Sequence, residues 1–303
     1  MKYSSKTDQD AINNTALVIR ARLEAGIVPW RICWNRTGGF PRNYITGRPY
    51  RGVNLFLLAG AGFSSPWWIS HSQAQRAGGF VREGEQPTSL YYWSFQKPKT
   101  PKAWAFHVFN LEQTFGLDAE PGDVSGHVFR RQIRLENILA NMPAPPKIIP
   151  GRDFNAGYWP ENDIIAMPLP QFFPQTTRHF HGLFCQLIHA TGHPKRLNRY
   201  TRRFFDPDPF YLEGLCAEMG ASILCGETGV QIPALAEELK GRGAWGLALQ
   251  GNPAWFSTAA HQAQHAVDYT LGRSSKRSAL TQEPRPRATS AEEPDTADLA
   301  ATG

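Results

Sequence analysis

Leu183-Phe-Cys-Gln-Leu-Ile-His-Ala-Thr-Gly192 is the stretch that decides the fold of the second half of this 303-residue chain. Its apolar residues recur at helical spacing, and Gly192 and Pro194 end the pattern, which predicts a helix over Thr176 to Ala190. Two more helices are predicted, over Pro209 to Gly226 and Pro253 to Leu271. The second half is therefore expected to be mainly helical.

Five consecutive residues of the first helix have the spacing of a zinc-peptidase motif but not its chemistry. The motif His-Glu-x-x-His places two imidazoles on one helical face, and its carboxylate activates a metal-bound water. Here the three chemical positions hold Cys185, Gln186 and His189. The amide of Gln186 cannot accept a proton at neutral pH. The pattern predicts a degenerate site with no catalytic residue, so we expect no peptidase activity.

Two other uses of these residues stay open. A spacing of four puts His181, Cys185 and His189 on one helical face, with His193 just beyond the helix and Cys216 on a neighbouring one, so a non-catalytic zinc site is one alternative. Against it, cysteine is often buried as a small hydrophobe, and His193 can cap the helix end. A thiol nucleophile would need an orienting third group, and the sequence identifies none.

Charge and tryptophan are unevenly divided along the chain. Residues 1–118 carry 14 Lys/Arg against 7 Asp/Glu and six of the nine tryptophans, whereas residues 119–303 carry 18 Lys/Arg against 19 Asp/Glu. A basic, aromatic-rich segment predicts a polyanionic partner. The alternative is that the tryptophans fill a core and the arginines make the surface soluble.

Location and membrane association follow from composition. Four cysteines fit a reducing compartment better than a disulfide scaffold, and the first ten residues are polar, unlike a secretory signal. Because no uninterrupted apolar run reaches about 18 residues, we expect no membrane partner. The prediction is a cytoplasmic protein.

Aromatic rings interleaved with Arg and Lys are what single-stranded nucleic acid requires. The predicted DNA-binding residues lie in turn-rich sequence of the first segment: Trp30, Arg31, Trp34, Arg36, Arg42, Arg48, Tyr50, Arg51, Arg82, Lys97, Lys99 and Lys102.

The remaining pattern gives a mixed first segment. Helices are predicted over Asp10 to Ala25, Trp67 to Gly79 and 129 to 141, and strands over Thr88 to Phe95 and Trp104 to Asn110. Tyr158 to Met167 predicts a hairpin with its turn at residues 160–163. The predicted boundaries are a first domain at 1–118, a linker at 119–128, a second domain at 129–273 and a disordered tail at 274–303.

Short stretches with a characteristic order are distributed over most of the chain. In the N-terminal part they are Leu23-Glu-Ala-Gly26, Pro29-Trp30, Gly47-Arg-Pro-Tyr-Arg-Gly-Val-Asn54, Gln73-Ala-Gln75, Gly78-Gly79, Val81-Arg-Glu-Gly-Glu85 and Val108-Phe-Asn110. In the C-terminal part they are Tyr158, Asp163-Ile164, Met167-Pro168, Leu187 to Asn198 and Ala217-Glu-Met-Gly-Ala221. In these stretches the chain resembles the ArdC-type antirestriction proteins of plasmids and phages. The resemblance implies an α+β protein, in which a mixed α/β domain that binds single-stranded DNA precedes a mainly helical, zincin-like metallopeptidase domain.

The same resemblance shows a third departure in the metal site. It implies a glutamate ligand three residues before Ala217, where this chain has Gly214, and it implies that Glu218 orients an imidazole from outside the ligand set. We therefore expect no cofactor; if zinc binds, its ligands would be Cys185, His189, His193 and Glu218. The expected partners are single-stranded DNA and a host restriction or defence protein. The alternatives are a metallopeptidase with atypical Cys/His ligands and a protein decoy that does not touch DNA.

Overall fold

The computed structural model describes residues 6–32, 34, 39–94, 102–118, 135–151, 156–199, 207–231 and 242–273. Residues 1–273 form one compact unit, and the described helices and strands all belong to it. The linker and the tail predicted from sequence lie outside the described residues. The predicted domain boundaries therefore stay predictions.

The first half is built on a four-stranded sheet against which the first helix packs. The helices are α1 (Lys6–Glu24), α2 (Val53–Ala59) and α3 (His71–Arg76), and the strands are β1 (Arg42–Asn43), β2 (Trp67–Ile69), β3 (Phe80–Val81), β4 (Thr88–Ser94), β5 (Lys102–Asn110) and β6 (Thr114–Phe115). The sheet order is β1-β2-β5-β4, with β1 parallel to β2 and the other pairs antiparallel. Strands β3 and β6 form a separate antiparallel ribbon.

The second half carries a small sheet and the longer helices. Its elements are α4 (Leu135–Asn141), β7 (Lys147–Pro150), β8 (Gly157–Trp159), β9 (Ile164–Met167), α5 (Thr176–Thr191), α6 (Pro207–Thr228), α7 (Arg242–Gly251) and α8 (Ala254–Thr270). Strand β9 is parallel to β7 and antiparallel to β8. The architecture of helices and sheets confirms the predicted α+β class, with a mixed first half and a largely helical second half.

Hydrophobic periodicity explains the helices. The residues of α1 that were expected on one apolar face, Ile12, Ala16, Ile19 and Leu23, are at most 5% exposed. The predicted hairpin is also present, because β8 and β9 pair across a turn in which Asp163 has φ +55°. The prediction of a helix from Trp67 to Gly79 is wrong in its first part: the apolar run Trp67–Ile69 is the fully buried strand β2, and the helix begins only at His71.

One hydrophobic core joins the two halves. Trp30, Trp34 and Phe56 of the first half belong to the same buried cluster as Phe184 and Phe256 of the second half. Helix α8 contacts α1 and α2, and α6 contacts the short 3-10 turn Pro29–Arg31. The basic, tryptophan-rich segment is therefore part of the body of the protein.

No helix among the described residues is both long and apolar enough to cross a membrane.

Candidate functional site

Helices α5 and α6 form a closely packed pair that carries the residues of the degenerate motif. Cys185, Gln186 and His189 are all partly buried on α5. The two helices approach tightly at Gly220, where an added Cβ would lie 2.7 Å from a carbon of Ile188. This packing brings the polar residues of both helices into contact.

His189 lies beside a carboxylate that the sequence did not single out. Its Nδ1 is 3.2 Å from Oε1 of Glu213, and Arg199 binds the same carboxylate at 2.8 Å through Nη2 and at 3.3 Å through Nε. Burial alone would raise the pKa of Glu213, but the hydrogen bond from His189 and the positive charge of Arg199 hold it below its ordinary value. Glu213 is therefore an ionised group whose charge is already balanced.

The positions that the sequence singled out as a degenerate motif hold a thiol and a glycine. The Sγ of Cys185 is 3.9 Å from Nδ1 of His181, and Gly214 presents no side chain. Cys216 is fully buried, and burial raises the pKa of its thiol to about 12, so the thiolate that nucleophilic attack or zinc binding requires is strongly disfavoured.

Glu218 binds an arginine of the other half of the chain. Its two oxygens lie 2.7 Å and 2.5 Å from Nη2 of Arg31, a residue of the N-terminal half. Glu213, five residues earlier, contacts the imidazole of His189. The role expected of Glu218 beside an imidazole stays a prediction, and the sequence could not show that an arginine would reach this carboxylate from the other half.

These residues do not form the donor set of a zinc or manganese site. In the part of the chain that the structure describes, no three His, Cys, Asp or Glu side chains are grouped to hold a metal ion. His193 lies outside the pair, where its Nδ1 accepts a hydrogen bond from the backbone of Lys195 at 3.1 Å. Glu213 and Glu218 each bind a guanidinium instead.

Three of the predicted base-stacking rings are buried. Trp30, Trp34 and Tyr50 are 1%, 3% and 7% exposed. The Nε1 of Trp34 donates to the carbonyl of Ser222 on α6 at 2.8 Å, and the ring of Trp30 lies 6.0 Å from that of Phe256 on α8. The expectation that these rings stand on open loops is wrong, because they fill the core between the two halves.

Arg31 and Arg51 also face inward. Arg31 binds Glu218, and Arg51 binds the carboxylate of Asp268 on α8. Next to Arg51, the amide of Gly52 donates to Oε1 of Gln264 at 3.2 Å. These two arginines hold the halves together, so the prediction that they line a DNA surface is corrected.

The other predicted contacts are distributed differently. Arg42 is half-buried over the ring of Trp67, with its guanidinium carbon 5.4 Å from the ring centroid, whereas Arg48 and Arg82 are exposed. Arg82 binds Glu85 at 3.0 Å and the carbonyl of Glu112. Arg36, Lys97 and Lys99 lie outside the described residues, as does the side chain of Lys102, the first residue of β5.

Two rings on the β4–β5 hairpin were not singled out by the sequence. Tyr92 and Trp104 are direct cross-strand partners with ring centroids 6.2 Å apart, and Trp104 is 40% exposed. The signal that could have found them is the strand register, since aromatic residues face each other at the end of two strands joined by a lysine-rich sequence.

Comparisons with known protein families give two consecutive matches. The N-terminal domain of the anti-restriction factor ArdC matches residues 9–123, and a zincin-like metallopeptidase domain matches residues 134–262.

Relatives share both parts. DNA primase TraC of Escherichia coli is 31% identical over 279 residues, which cover 82% of this chain and 26% of that protein. A second TraC of the same species is 29% identical, and the match covers 82% of this chain and 19% of that protein. This chain therefore spans about a quarter or less of the length of these relatives. The crystal structure of Mn(II)-bound antirestriction protein ArdC from plasmid R388 is similar, with a TM-score of 0.70, 28% identity, and coverage of 86% of this chain and 97% of that one. The chain therefore belongs to the ArdC-like antirestriction family and has that family's N-terminal domain followed by its zincin-like domain.

Proposed function

We propose that this protein binds single-stranded DNA through its N-terminal half and protects the DNA of a mobile element, in the cytoplasm of the cell that the element enters. The zincin-like half acts as a non-catalytic support. Family membership supports the antirestriction role, and the surface of the β4–β5 hairpin supports the DNA-binding role.

The observation that carries the proposal is the composition of this hairpin. Residues 88–110 contain seven aromatic residues and three lysines, but no Asp or Glu. The rings of Tyr92 and Trp104 pair across the two strands, which a lysine-rich sequence joins along the chain. Flat rings beside cations and without repelling carboxylates are what stacked bases and phosphates require.

The base of the hairpin is firmly anchored, so its end can present these rings. Leu90 and Val108 are buried, at 0% and 1% exposed. The side-chain amide of Asn54 donates to the carbonyl of Tyr91 at 2.9 Å, and its oxygen accepts from the amide of Tyr91 at 3.0 Å. A rigid scaffold under exposed aromatic residues reduces the entropy that binding must overcome.

Fluorescence anisotropy of a labelled oligonucleotide of about 30 nucleotides tests the site on the full chain. Trp104→Ala and Tyr92→Ala are each expected to weaken binding about 5-fold or more, because each removes a stacking surface. Trp159→Ala is the matched control, since Trp159 is 47% exposed on β8 in the other half. Equal losses for Trp104→Ala and Trp159→Ala would show that the hairpin is not the site.

Salt dependence tests the lysines. Replacing Lys97, Lys99 and Lys102 together by glutamine is expected to reduce the slope of log affinity against log salt by about 2, as expected for three lost contacts with phosphates of single-stranded DNA. A wild-type chain that does not bind the oligonucleotide at low salt would contradict the proposed function itself.

The non-catalytic status of the second half rests on the replaced residues Cys185, Gln186 and Gly214. The competing function is a metallopeptidase with atypical Cys/His ligands. A protein substrate incubated with the full chain and Mn(II) or Zn(II) separates the two, and we expect no cleavage. Cleavage that disappears in His189→Ala would establish the peptidase.

A specific observation also favours a protein partner. Phe80 and Phe115 are 53% and 64% exposed on the β3–β6 ribbon, with ring centroids 5.3 Å apart and exposed Glu83 nearby in sequence. Exposed paired aromatic residues are typical of protein interfaces. Pull-down of host restriction or defence proteins from nuclease-treated lysate, compared with Phe80→Asp/Phe115→Asp, tests this second role. Capture that is equal for both forms would exclude the ribbon.

A further inference from the structure

Two arginines bind two carboxylates of α6, Glu213 and Glu218. We propose that Arg31 and Arg199 supply to the α5–α6 helix pair the positive charge that a metal ion supplies in a metallopeptidase of this fold. The inference rests on the proposed non-catalytic role of this half. It adds that the site has been rebuilt as an ion-pair network that uses a residue of the N-terminal half.

The residues considered on α5 and α6 are spaced by about one helical turn along each helix. On α5, His181, Cys185 and His189 are spaced by four residues, and on α6, Gly214 and Glu218 have the same spacing. Each step corresponds to about one helical turn. Arg31 therefore binds one turn away from the vacated position of Gly214, and Arg199 binds at Glu213, directly beside that position.

Arg199 is built into the pair. Its side chain is 7% exposed, and besides Glu213 it donates to Oγ1 of Thr191 at 2.5 Å and to the carbonyl of Ile188 at 2.7 Å. Its backbone amide donates to the carbonyl of Gly192 at 2.9 Å. The guanidinium thus satisfies a carboxylate and the C-terminal end of α5 together.

Arg31, unlike Arg199, belongs to the N-terminal half of the chain. It ends the 3-10 turn Pro29–Arg31, in which Pro29 and Trp30 are buried against the second half. Its charge also acts on the buried imidazole of His181, whose pKa is lowered to about 4, first by burial and then by Arg31. A divalent cation in the pair would be repelled by the same guanidinium.

Thermal unfolding of the full chain, with and without MnCl2 or ZnCl2, tests the proposal. The wild type is expected to show no saturable metal-dependent rise in Tm. Arg31→Met and Glu218→Gln should each lower Tm by about 3 to 8 °C, because each leaves a partly buried charge or a charged partner without its counterpart. The double variant should lose less than the sum of the single losses. Arg76→Met, which removes an exposed arginine on α3, is the control and should leave Tm nearly unchanged.

Arg31→Lys keeps the charge but not the planar guanidinium, so it should fold even if Arg31→Met does not, with an intermediate Tm. Saturable stabilisation of the wild type by Mn(II) or Zn(II), lost in His189→Ala, would overturn the inference, as would additive effects of Arg31→Met and Glu218→Gln. These outcomes are separate from the peptidase assay. Cleavage of a substrate would overturn the proposed non-catalytic role, whereas additivity without cleavage would overturn only the arginine network.

Discussion

At the scale of single residues, burial determines what the histidines of α5 can do. His181 is 8% exposed, and within the described chain its Nε2 has no hydrogen-bond partner. Burial, assisted by the charge of Arg31, lowers the pKa of this imidazole to about 4. His189, about two helical turns further along α5, has a carboxylate partner in Glu213. Two histidines on the same face of one helix therefore have different surroundings: His181 is buried, whereas His189 contacts a carboxylate.

The low pKa of His181 makes stability depend on pH in a defined window. The unfolded chain takes up a proton at its ordinary pKa, near 6.5, whereas the folded chain does so only near pH 4. The folded state is thus expected to lose about 3 kcal/mol of stability through this group as pH falls from 6.5 to 4. In His181→Gln that part of the pH dependence should disappear.

Denaturant unfolding between pH 7 and pH 4 measures the effect, with exposed His71→Gln as the control. The carboxylates of Glu213 and Asp163, whose pKa values are lowered, begin to lose their contribution to stability below about pH 5, but this loss is common to the wild type and His181→Gln and cancels in the comparison. Parallel pH profiles for the wild type and His181→Gln would contradict the assignment.

At the scale of elements, one ion pair fixes the small sheet to the end of α5. Arg196 is 1% exposed and binds both oxygens of Asp163 at 2.8 Å, in the turn between β8 and β9. It also donates to the carbonyls of Ala144 and Ala190, and the hydroxyl of Tyr158 donates to Asp163 at 2.9 Å. The arginine thus joins a turn, a loop and a helix.

Arg196→Ala is expected to lower the free energy of unfolding by about 3 to 5 kcal/mol, because it removes the positive charge beside Asp163 and the donor to two carbonyls. Chemical denaturation measures the loss. Lys195→Ala, at the exposed neighbouring position, should change stability by less than about 0.5 kcal/mol. A loss of similar size in both variants would show that Arg196 has no special role.

The elements also show how far sequence reasoning reaches. The helices Thr176–Thr191 and Ala254–Thr270 and the strands around Asp163 were predictable, because periodicity and turn residues are local signals. Strand β2 was not, since a short buried run has no period of its own. The sequence also could not predict that Glu213 contacts His189 or that Arg31 and Arg51 point inward. These features depend on contacts between residues far apart in the chain.

At the scale of the whole molecule, aromatic density was a signal of the interface between the two halves. Trp30, Trp34 and Phe56 of the first half are at most 3% exposed, and they pack against residues of α6 and α8. Some of the aromatic residues whose number suggested DNA binding therefore lie inside the core. The rings that remain accessible in the first half, which include Trp104 on the hairpin and Phe80 and Phe115 on the β3–β6 ribbon, are left for a ligand.

A fragment of residues 1–118 is consequently expected not to fold as it does in the whole chain. Removing the second half would expose the buried face of Trp30, Trp34 and Phe56, and large newly exposed apolar patches favour aggregation. Size-exclusion chromatography and binding of a hydrophobic dye measure this, with residues 1–273 as the control, since they contain the whole compact unit. A monomeric fragment that unfolds cooperatively and binds no dye would contradict the expectation.

The contact between Arg31 and Glu218 also limits how this protein can be redesigned. The substitutions Cys185→His, Gln186→Glu and Gly214→Glu would introduce the residue types of the zinc-peptidase motif. The guanidinium of Arg31 would still lie one helical turn from the new ligands. A designer would have to replace Arg31 too, and so weaken the bond between the two halves. If the proposed non-catalytic role holds, building a peptidase from this chain therefore requires changes in both halves.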